Sequence, residues 1–123
     1  MEQVKKINWK NLKHEYGVDG QRLLPWGNST FPFPFGGAYC ITKANTDSLK
    51  HINEPKDEEE LFIAISGRAF VDIDGVKTQI DRGDIVHIAS GKEHYIHNPF
   101  DEDFHFYALW WNKEIVSGYN QNK

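Results

Sequence analysis

Side chains that bind metals or move protons are frequent in this sequence. It contains six histidines, and the second of them, His51, is followed by a run of four acidic residues at 57–60. His94 lies farther along, beyond an apolar stretch and several glycines. A single histidine is more often a surface or packed residue than a ligand. Imidazoles and carboxylates grouped in this way nevertheless indicate a candidate site for a divalent cation.

Two sets of residues at fixed spacing carry this pattern. The first comprises His51, Asn53, Glu60 and Gly67, and the second comprises Gly83, Ala89, Gly91, His94 and Asn98. With them, residues 37–112 resemble the cupins, a superfamily of small β-barrels whose motifs are G-x5-H-x-H-x(3–4)-E-x6-G and G-x5-P-x-G-x2-H-x3-N. The resemblance implies an all-β fold: a double-stranded β-helix, or jelly-roll barrel, with a short N-terminal arm.

The first motif departs from the family pattern in its N-terminal half. Asn53 stands where the second histidine is expected, and six residues rather than three or four separate it from Glu60. The glycine expected ahead of His51 is also missing. In the second motif, Ala89 replaces the usual proline.

The resemblance implies one divalent metal per chain, held inside the barrel by His51, Glu60 and His94, with Asn53 as a candidate fourth ligand. Two imidazoles and one carboxylate leave coordination positions open for a substrate or O2. The neutral amide oxygen of Asn53 favours Mn(II) or Fe(II) over softer metals, with Ni(II) and Zn(II) as alternatives.

Two other interpretations of this loop stay open. Asn53 could be a loop residue, with water completing the coordination of the metal. The longer loop could also fold back, so that Glu54, Glu58 or Glu59 enters the coordination shell.

Alternation of side chains along strands suggests which residues line a pocket. If Glu60 points into the barrel, Phe62 does so too, and the intervening apolar residues face outward. The candidate pocket residues are Phe62, His87, Tyr107 and Trp110. His97 is expected on the outer face, and Cys40, the single cysteine, is expected to be a buried thiol.

The inferred site predicts a metal-dependent enzyme that acts on a small anionic or chelating metabolite. Oxygenase, decarboxylase or lyase, and isomerase activities are all compatible, because one fold supports many reactions. The alternatives are a non-catalytic barrel that binds or senses a sugar or a small acid, and a metal-free cupin.

The elements that must position these residues are short strands separated by turn signals. The sequence predicts strands near 38–43, 47–52, 60–66, 68–74, 76–81, 85–89, 93–98 and 103–112. The Asp74-Gly75 pair predicts a tight hairpin. Residues 1–36 are expected to form an arm and edge segment, with a short helix or loose chain over 1–15, and residues 113–123 are expected to form a polar, fraying tail around a 37–112 barrel.

Composition excludes several classes of protein. The 123 residues carry a net charge of −4 without a basic cluster, so nucleic acid is not an expected partner. Apolar runs such as Leu61 to Ile65 are far shorter than the ~20 residues of a membrane span. The charged N-terminus lacks the apolar segment of a signal peptide, and a cytoplasmic location is expected. Outward apolar residues and the aromatic segment 22–35 predict a homodimer.

Overall fold

The computed structural model describes residues 4–24 and 33–121, and strands dominate this part of the chain. The elements in chain order are a 3-10 turn (Trp9–Asn11), β1 (Lys13–Glu15), β2 (Val18–Leu24), β3 (Gly36–Thr42), β4 (Thr46–Asp47), β5 (Glu59–Ser66), β6 (Arg68–Ile73), β7 (Val76–Asp81), β8 (Ile85–Ile88), β9 (His94–Asn98), β10 (Phe104–Trp111) and α1 (Lys113–Gln121). No helix within the described residues has the length and hydropathy needed to cross a bilayer.

Two antiparallel sheets form the barrel. The strand order is β1-β2-β3-β10-β5-β8 in the larger sheet and β4-β9-β6-β7 in the smaller one. Each sheet therefore contains strands that are distant in sequence, as a jelly roll requires. The expected all-β jelly-roll fold is confirmed.

The main core lies between the two sheets. Its fully buried side chains include Phe104, Ile88 and Ile96, and Phe62 and Ala64 join it from β5. Inward-facing residues of β5 thus alternate with outward-facing ones, as the sequence pattern predicts. This alternation also turns Glu60 toward the interior.

A second, smaller core covers the outer face of the larger sheet. Leu23, Tyr39 and Ile41 form its centre, and Ile7 and Ile65 pack against it. Part of the outward apolar surface of β5 is therefore covered by the N-terminal segment of the same chain, so a second subunit is not needed for that part.

The Asp74-Gly75 hairpin forms as expected between β6 and β7. Asp74 has φ of 51° and Gly75 has φ of 87°, the pair of positive values that a two-residue primed turn requires. A side-chain hydrogen bond stabilises the turn, because Gly75 N donates to Asp72 Oδ1 at 2.9 Å.

Three segments differ from the sequence-based expectations. The strand predicted at 47–52 is reduced to β4, after which His51 makes an isolated bridge to His94. The helix or loose chain expected over 1–15 contains a 3-10 turn and β1, and β2 extends the sheet beyond it. Residues 25–32 of the aromatic segment lie outside the described residues.

The third difference is the C-terminal segment, where α1 replaces the expected fraying tail. Asn112 caps this helix, since Ile115 N donates to Asn112 Oδ1 at 3.0 Å. Lys113 N also donates to the Asp57 carboxylate at 2.9 Å. These contacts satisfy amides at the start of the helix that would otherwise lack partners.

Candidate functional site

A cavity of about 460 Å³ opens into the barrel interior. Much of its wall is apolar, with Phe62, Ile96 and Phe106 among the residues that line it. His51, Asn53, Glu60 and His94 line the same cavity and form a polar cluster. The structure therefore brings together the four residues named as candidate ligands.

Backbone pairing explains why the two histidines meet. His51 N donates to His94 O at 3.1 Å, and His94 N donates to His51 O at 2.9 Å. The two imidazole rings lie side by side with centroids 4.6 Å apart. Glu60 reaches the cluster from the other sheet, on β5.

The side chains of the cluster are in direct contact. His51 Nε2 lies 3.1 Å from Asn53 Oδ1, and Asn53 Nδ2 donates to Glu60 Oε1 at 3.1 Å. His94 Nε2 lies 3.5 Å from the same carboxylate oxygen. Asn53 therefore links His51 to Glu60, and Glu60 faces both Asn53 and His94.

The backbone fixes which imidazole nitrogen carries the proton. His51 Nδ1 lies 2.8 Å from Leu49 O, and His94 Nδ1 lies 3.0 Å from Lys92 O. A carbonyl oxygen can only accept, so Nδ1 is the protonated nitrogen in both rings. In the neutral imidazoles, Nε2 then presents a lone pair toward the cluster.

The cluster consequently holds more acceptors than donors. The Asn53 amide nitrogen faces Glu60, so its oxygen faces the lone pair of His51 Nε2. Reversing the amide would instead place its oxygen against the Glu60 carboxylate. Either orientation leaves two acceptors in contact, and a cation, either a proton or a metal ion, must lie between them.

The donor set fits a divalent metal in its chemistry. Two imidazole nitrogens, one carboxylate and one amide oxygen are ligands of first-row metals. His94 Nε2 is buried and makes no hydrogen bond within the described residues. No group of three or more His, Cys, Asp or Glu side chains in that part of the chain is already arranged around a cation position. The Asn53 amide stands between two of the candidate ligands.

Burial and charge shift two pKa values at this site. Burial lowers the pKa of His94, but contacts with Glu60 and the Lys92 carbonyl outweigh it, so the net shift is upward. Burial, together with the negative charge of Glu60, raises the pKa of Glu58 to about 7. A carboxyl group with such a pKa exchanges its proton near neutral pH.

The alternative loop ligands occupy different positions. Glu54 and Glu58 line the cavity. Glu59 instead faces outward, where its carboxylate contacts His87 Nε2 at 2.6 Å and accepts from Ser90 N at 2.6 Å. The structure thus contradicts a place for Glu59 beside the cluster.

Of the four candidate pocket residues, Phe62 and Trp110 line the cavity. His87 and Tyr107 do not, and the expectation for these two is corrected. His87 stacks on Trp111 outside the barrel, and Tyr107 packs against Tyr39 on the outer face of the larger sheet. Strand alternation places both side chains opposite to the cavity.

The N-terminal hairpin forms part of the cavity wall, which the two motifs do not predict. Glu15, Tyr16 and Arg22 line the cavity from β1, β2 and the turn between them. Tyr16 has φ of 54°, uncommon for a residue other than glycine, and its ring lies 4.9 Å from that of His51. Tyr-Gly is a weak signal for a primed turn, so sequence analysis missed these residues.

Trp110 owes its position to a glycine in the neighbouring strand. Gly36 pairs with Trp110 across β3 and β10. A Cβ at position 36 would lie 2.3 Å from Trp110 Nε1, so any larger residue would displace the indole.

The other members of the second motif shape the backbone. Gly83 and Gly91 have φ of 94° and 81° in turns. The fully buried Asn98 donates its amide nitrogen to the carbonyls of Thr42, Lys43 and Glu102. Among the residues of the second motif, His94 is thus the member that belongs to the cavity cluster.

The expectations for two further residues are confirmed. His97 faces outward, with Nδ1 2.6 Å from Asp47 Oδ1. Cys40 is a buried free thiol whose pKa burial raises to about 12.

Comparison with known proteins identifies close structural relatives. A protein from Photorhabdus luminescens is 39% identical, with 98% of this chain and 97% of that chain covered and a TM-score of 0.89. A cupin 2 conserved barrel domain protein from Salinispora arenicola is 30% identical, covers 100% of this chain and 99% of that chain, and has a TM-score of 0.88.

An uncharacterized protein of Streptomyces coelicolor is 32% identical over 62 residues, which is 50% of this chain and 55% of that protein. The match thus spans about half the length of this curated relative. The family described as Cupin domain matches residues 40–111. Because this match covers more than half of the sequence, the chain belongs to the cupin domain family.

Proposed function

We propose that this cupin binds one divalent cation, Mn(II) or Fe(II) in preference to Ni(II) or Zn(II), and acts as an enzyme on a small chelating metabolite. His51, Asn53, Glu60 and His94 would hold the cation. Asn53 adds an oxygen to the two imidazoles and the carboxylate, which favours the harder metals.

The observation that carries the proposal is the surplus of acceptors in the cluster. Two imidazole lone pairs, fixed by backbone carbonyls, face a carboxylate and an amide oxygen. Metal-binding histidines characteristically donate their other nitrogen to a carbonyl or a carboxylate in this way. On binding, the cation would replace the hydrogen bonds that Asn53 makes within the cluster.

The remaining residues determine what can bind beside the cation. A bound divalent metal supplies polarisation of a carbonyl or enolate oxygen, and iron also supplies reactivity with O2. Phe62, Ile96 and Phe106 present apolar surface to the cavity, so the ligand would join a polar chelating end to an apolar body. Oxygenase, decarboxylase or lyase, and isomerase are the three reaction classes that this site supports.

Metal content tests the proposal directly. Protein purified without an affinity tag should contain about one Mn or Fe per chain by elemental analysis. His94→Ala should abolish this content while the far-ultraviolet circular dichroism spectrum is retained. His97→Ala is the matched control, because His97 lies on the same strand but faces outward. Full occupancy in the His94 variant would contradict the proposal.

A metal-free binding barrel is the second candidate, and the Asn53 hydrogen bonds favour it. With a proton on His51 Nε2, both side-chain contacts of Asn53 are hydrogen bonds without a metal. Protein that lacks metal and cannot be reconstituted with Mn(II) or Fe(II) would support this candidate and overturn the first.

A further inference from the structure

Arg22 lines the cavity, and its side chain contacts Glu15 and Trp110. Its Nε donates to Glu15 Oε1 at 2.8 Å, and its Cζ lies 5.4 Å from the centre of the Trp110 ring. Within the described residues, the hydrogen bonding of this side chain uses Nε alone. The two terminal nitrogens, which form the planar fork that matches a carboxylate, are left for another partner.

The charges around the cavity give Arg22 a particular role. Among the described residues that line it, Arg22 is the single Lys or Arg, whereas the glutamates are Glu15, Glu54, Glu58 and Glu60. The charge of Arg22 also acts on groups at the site, because it opposes the upward pKa shifts of Glu58 and of Cys40. An anionic group that entered the cavity would be attracted to this position and repelled by the glutamates.

Strand register separates Arg22 from the metal-binding cluster. Arg22 pairs with Ala38, Ala38 with Ala108, and Ala108 with Phe62. Three strand spacings of about 4.8 Å place the backbone of Arg22 roughly 14 Å from β5, which carries Glu60. The guanidinium extends over Trp110, the residue paired with Glu60. Arg22 and the cluster line the same cavity of about 460 Å³, which offers space for a small molecule.

We propose that Arg22 binds a carboxylate at one end of a ligand whose other end chelates the metal. The substrate class is then a chelating acid with a second, distal carboxylate. This inference rests on the proposed function, because it requires a cation at the cluster. It assigns a role to a residue outside the 40–111 region that matches the family.

An ordinary surface ion pair between Arg22 and Glu15 is the competing explanation. Such exposed pairs contribute little to stability, and the Arg22 side chain is 59% exposed. The two explanations differ in what the loss of Arg22 changes: ligand selectivity in one case, and at most a small part of the stability in the other.

Paired probes distinguish them. Isothermal titration of the Mn(II)-loaded protein would use 2-oxoglutarate against 2-oxopentanoate, and 2-oxoadipate against 2-oxohexanoate. Each pair has the same chelating end and chain length but differs in the distal carboxylate. We expect at least one dicarboxylate to bind about tenfold more tightly than its partner, as a charge-assisted hydrogen bond provides.

The variants complete the test. Arg22→Gln should remove the preference while the monocarboxylate still binds, and Arg22→Lys should restore part of it. Arg82→Gln, on an exposed turn, is the control and should keep the preference. The inference would be overturned if none of the four probes binds, if the affinities within each pair are equal, or if the preference survives Arg22→Gln. Failure of the protein to take up Mn(II) in a prior titration would instead overturn the proposed function.

Discussion

His51 and His94 are oriented by the same device: each ring donates its Nδ1 hydrogen to the backbone carbonyl two residues earlier, at 2.8 Å and 3.0 Å. The two residues also pair with each other through both of their backbone amides. Ring orientation therefore follows from backbone geometry that the fold determines. The two Nε2 atoms face the cluster before any ligand arrives, and preorganisation of this kind strengthens binding.

Asn53→Asp should lower the stability of the metal-free protein but increase its stabilisation by a bound metal. Without metal, a carboxylate at position 53 would face Glu60, so the free energy of unfolding should fall by about 2 kcal/mol. With Mn(II), the added charge should increase the thermal shift beyond that of the wild type. Asn45→Asp is the control, because Asn45 also donates to a carboxylate, that of Asp101, but on the surface. A variant whose Mn(II) shift does not exceed the wild-type shift would exclude Asn53 as a ligand.

Asn98→Asp should destabilise the barrel without a direct effect on the metal site. The new carboxylate would face three carbonyl oxygens in a fully buried position. Loss of those hydrogen bonds and burial of a charge should lower the free energy of unfolding by about 3 kcal/mol or more. Urea denaturation measures this, with the exposed Asn120→Asp as the control. Equal stability of the two variants would contradict a stabilising role for the buried hydrogen bonds of Asn98.

The thiol of Cys40 should resist alkylation in the native protein. Burial raises its pKa to about 12, with the charges of Glu60 and Glu15 adding to the effect. At pH 8 the thiolate, which is the reactive form, is then about one ten-thousandth of the population. Mass spectrometry should show modification by iodoacetamide at least about 100-fold slower than in urea-unfolded protein. Comparable rates in the two states would show that the thiol is accessible.

Stability should fall on mild acidification because of His105. Burial lowers the pKa of His105, whose Nδ1 lies 2.6 Å from the Tyr39 hydroxyl oxygen. The unfolded chain then takes up this proton at a higher pH than the folded one. The free energy of unfolding should therefore decrease as pH falls below about 6.5.

Urea denaturation between about pH 5 and 7.5 measures this effect as the difference between wild type and His105→Gln. His94, with a raised pKa, acts in the opposite direction, but it is present in both proteins and cancels in the difference. Parallel pH profiles for the two proteins would rule out a contribution from His105.

We propose that the chain forms a homodimer in solution. Ile85 is 65% exposed on β8, an edge strand of the larger sheet in the described residues, where it pairs with Ile63 of β5. Sedimentation velocity at micromolar concentration should give twice the 14.3 kDa chain mass. Ile85→Lys should shift this equilibrium toward the monomer if β8 lies in the interface. A single 14.3 kDa species in the wild type would contradict the dimer.

Apart from the 47–52 segment, the strands from β3 onward were predictable because they are short apolar runs whose turns carry glycine. Asp74-Gly75 is the clearest example, since both positive φ values occur where the residue types favour them. The β1–β2 hairpin was not predictable. Its turn places Tyr16 in a left-handed conformation that local preference disfavours, and Leu49 N, which is distant in sequence, donates to Tyr16 O at 2.7 Å. Helix α1 depends on the Asn112 cap and on Asp57, which is distant in sequence.

The candidate site was predictable to a similar extent. Motif spacing identified four residues that the structure brings into contact. His51 pairs with His94 through the backbone, and Glu60 faces the interior from β5. Spacing could not show that Glu59 contacts His87, since this depends on the register of β5 against β8. It also could not identify Arg22, because β2 reaches the cavity only through its pairing with β3.

The contact between Gly36 and Trp110 makes the capacity of the binding chamber adjustable from outside both motifs. A methyl group in place of the side-chain hydrogen of Gly36 would displace the Trp110 indole toward the cavity or away from it, and so alter the size of the ligand that the cavity admits. Related barrels could therefore diverge in the molecules they accept through substitutions at this one position, while the histidines and the glutamate stay unchanged.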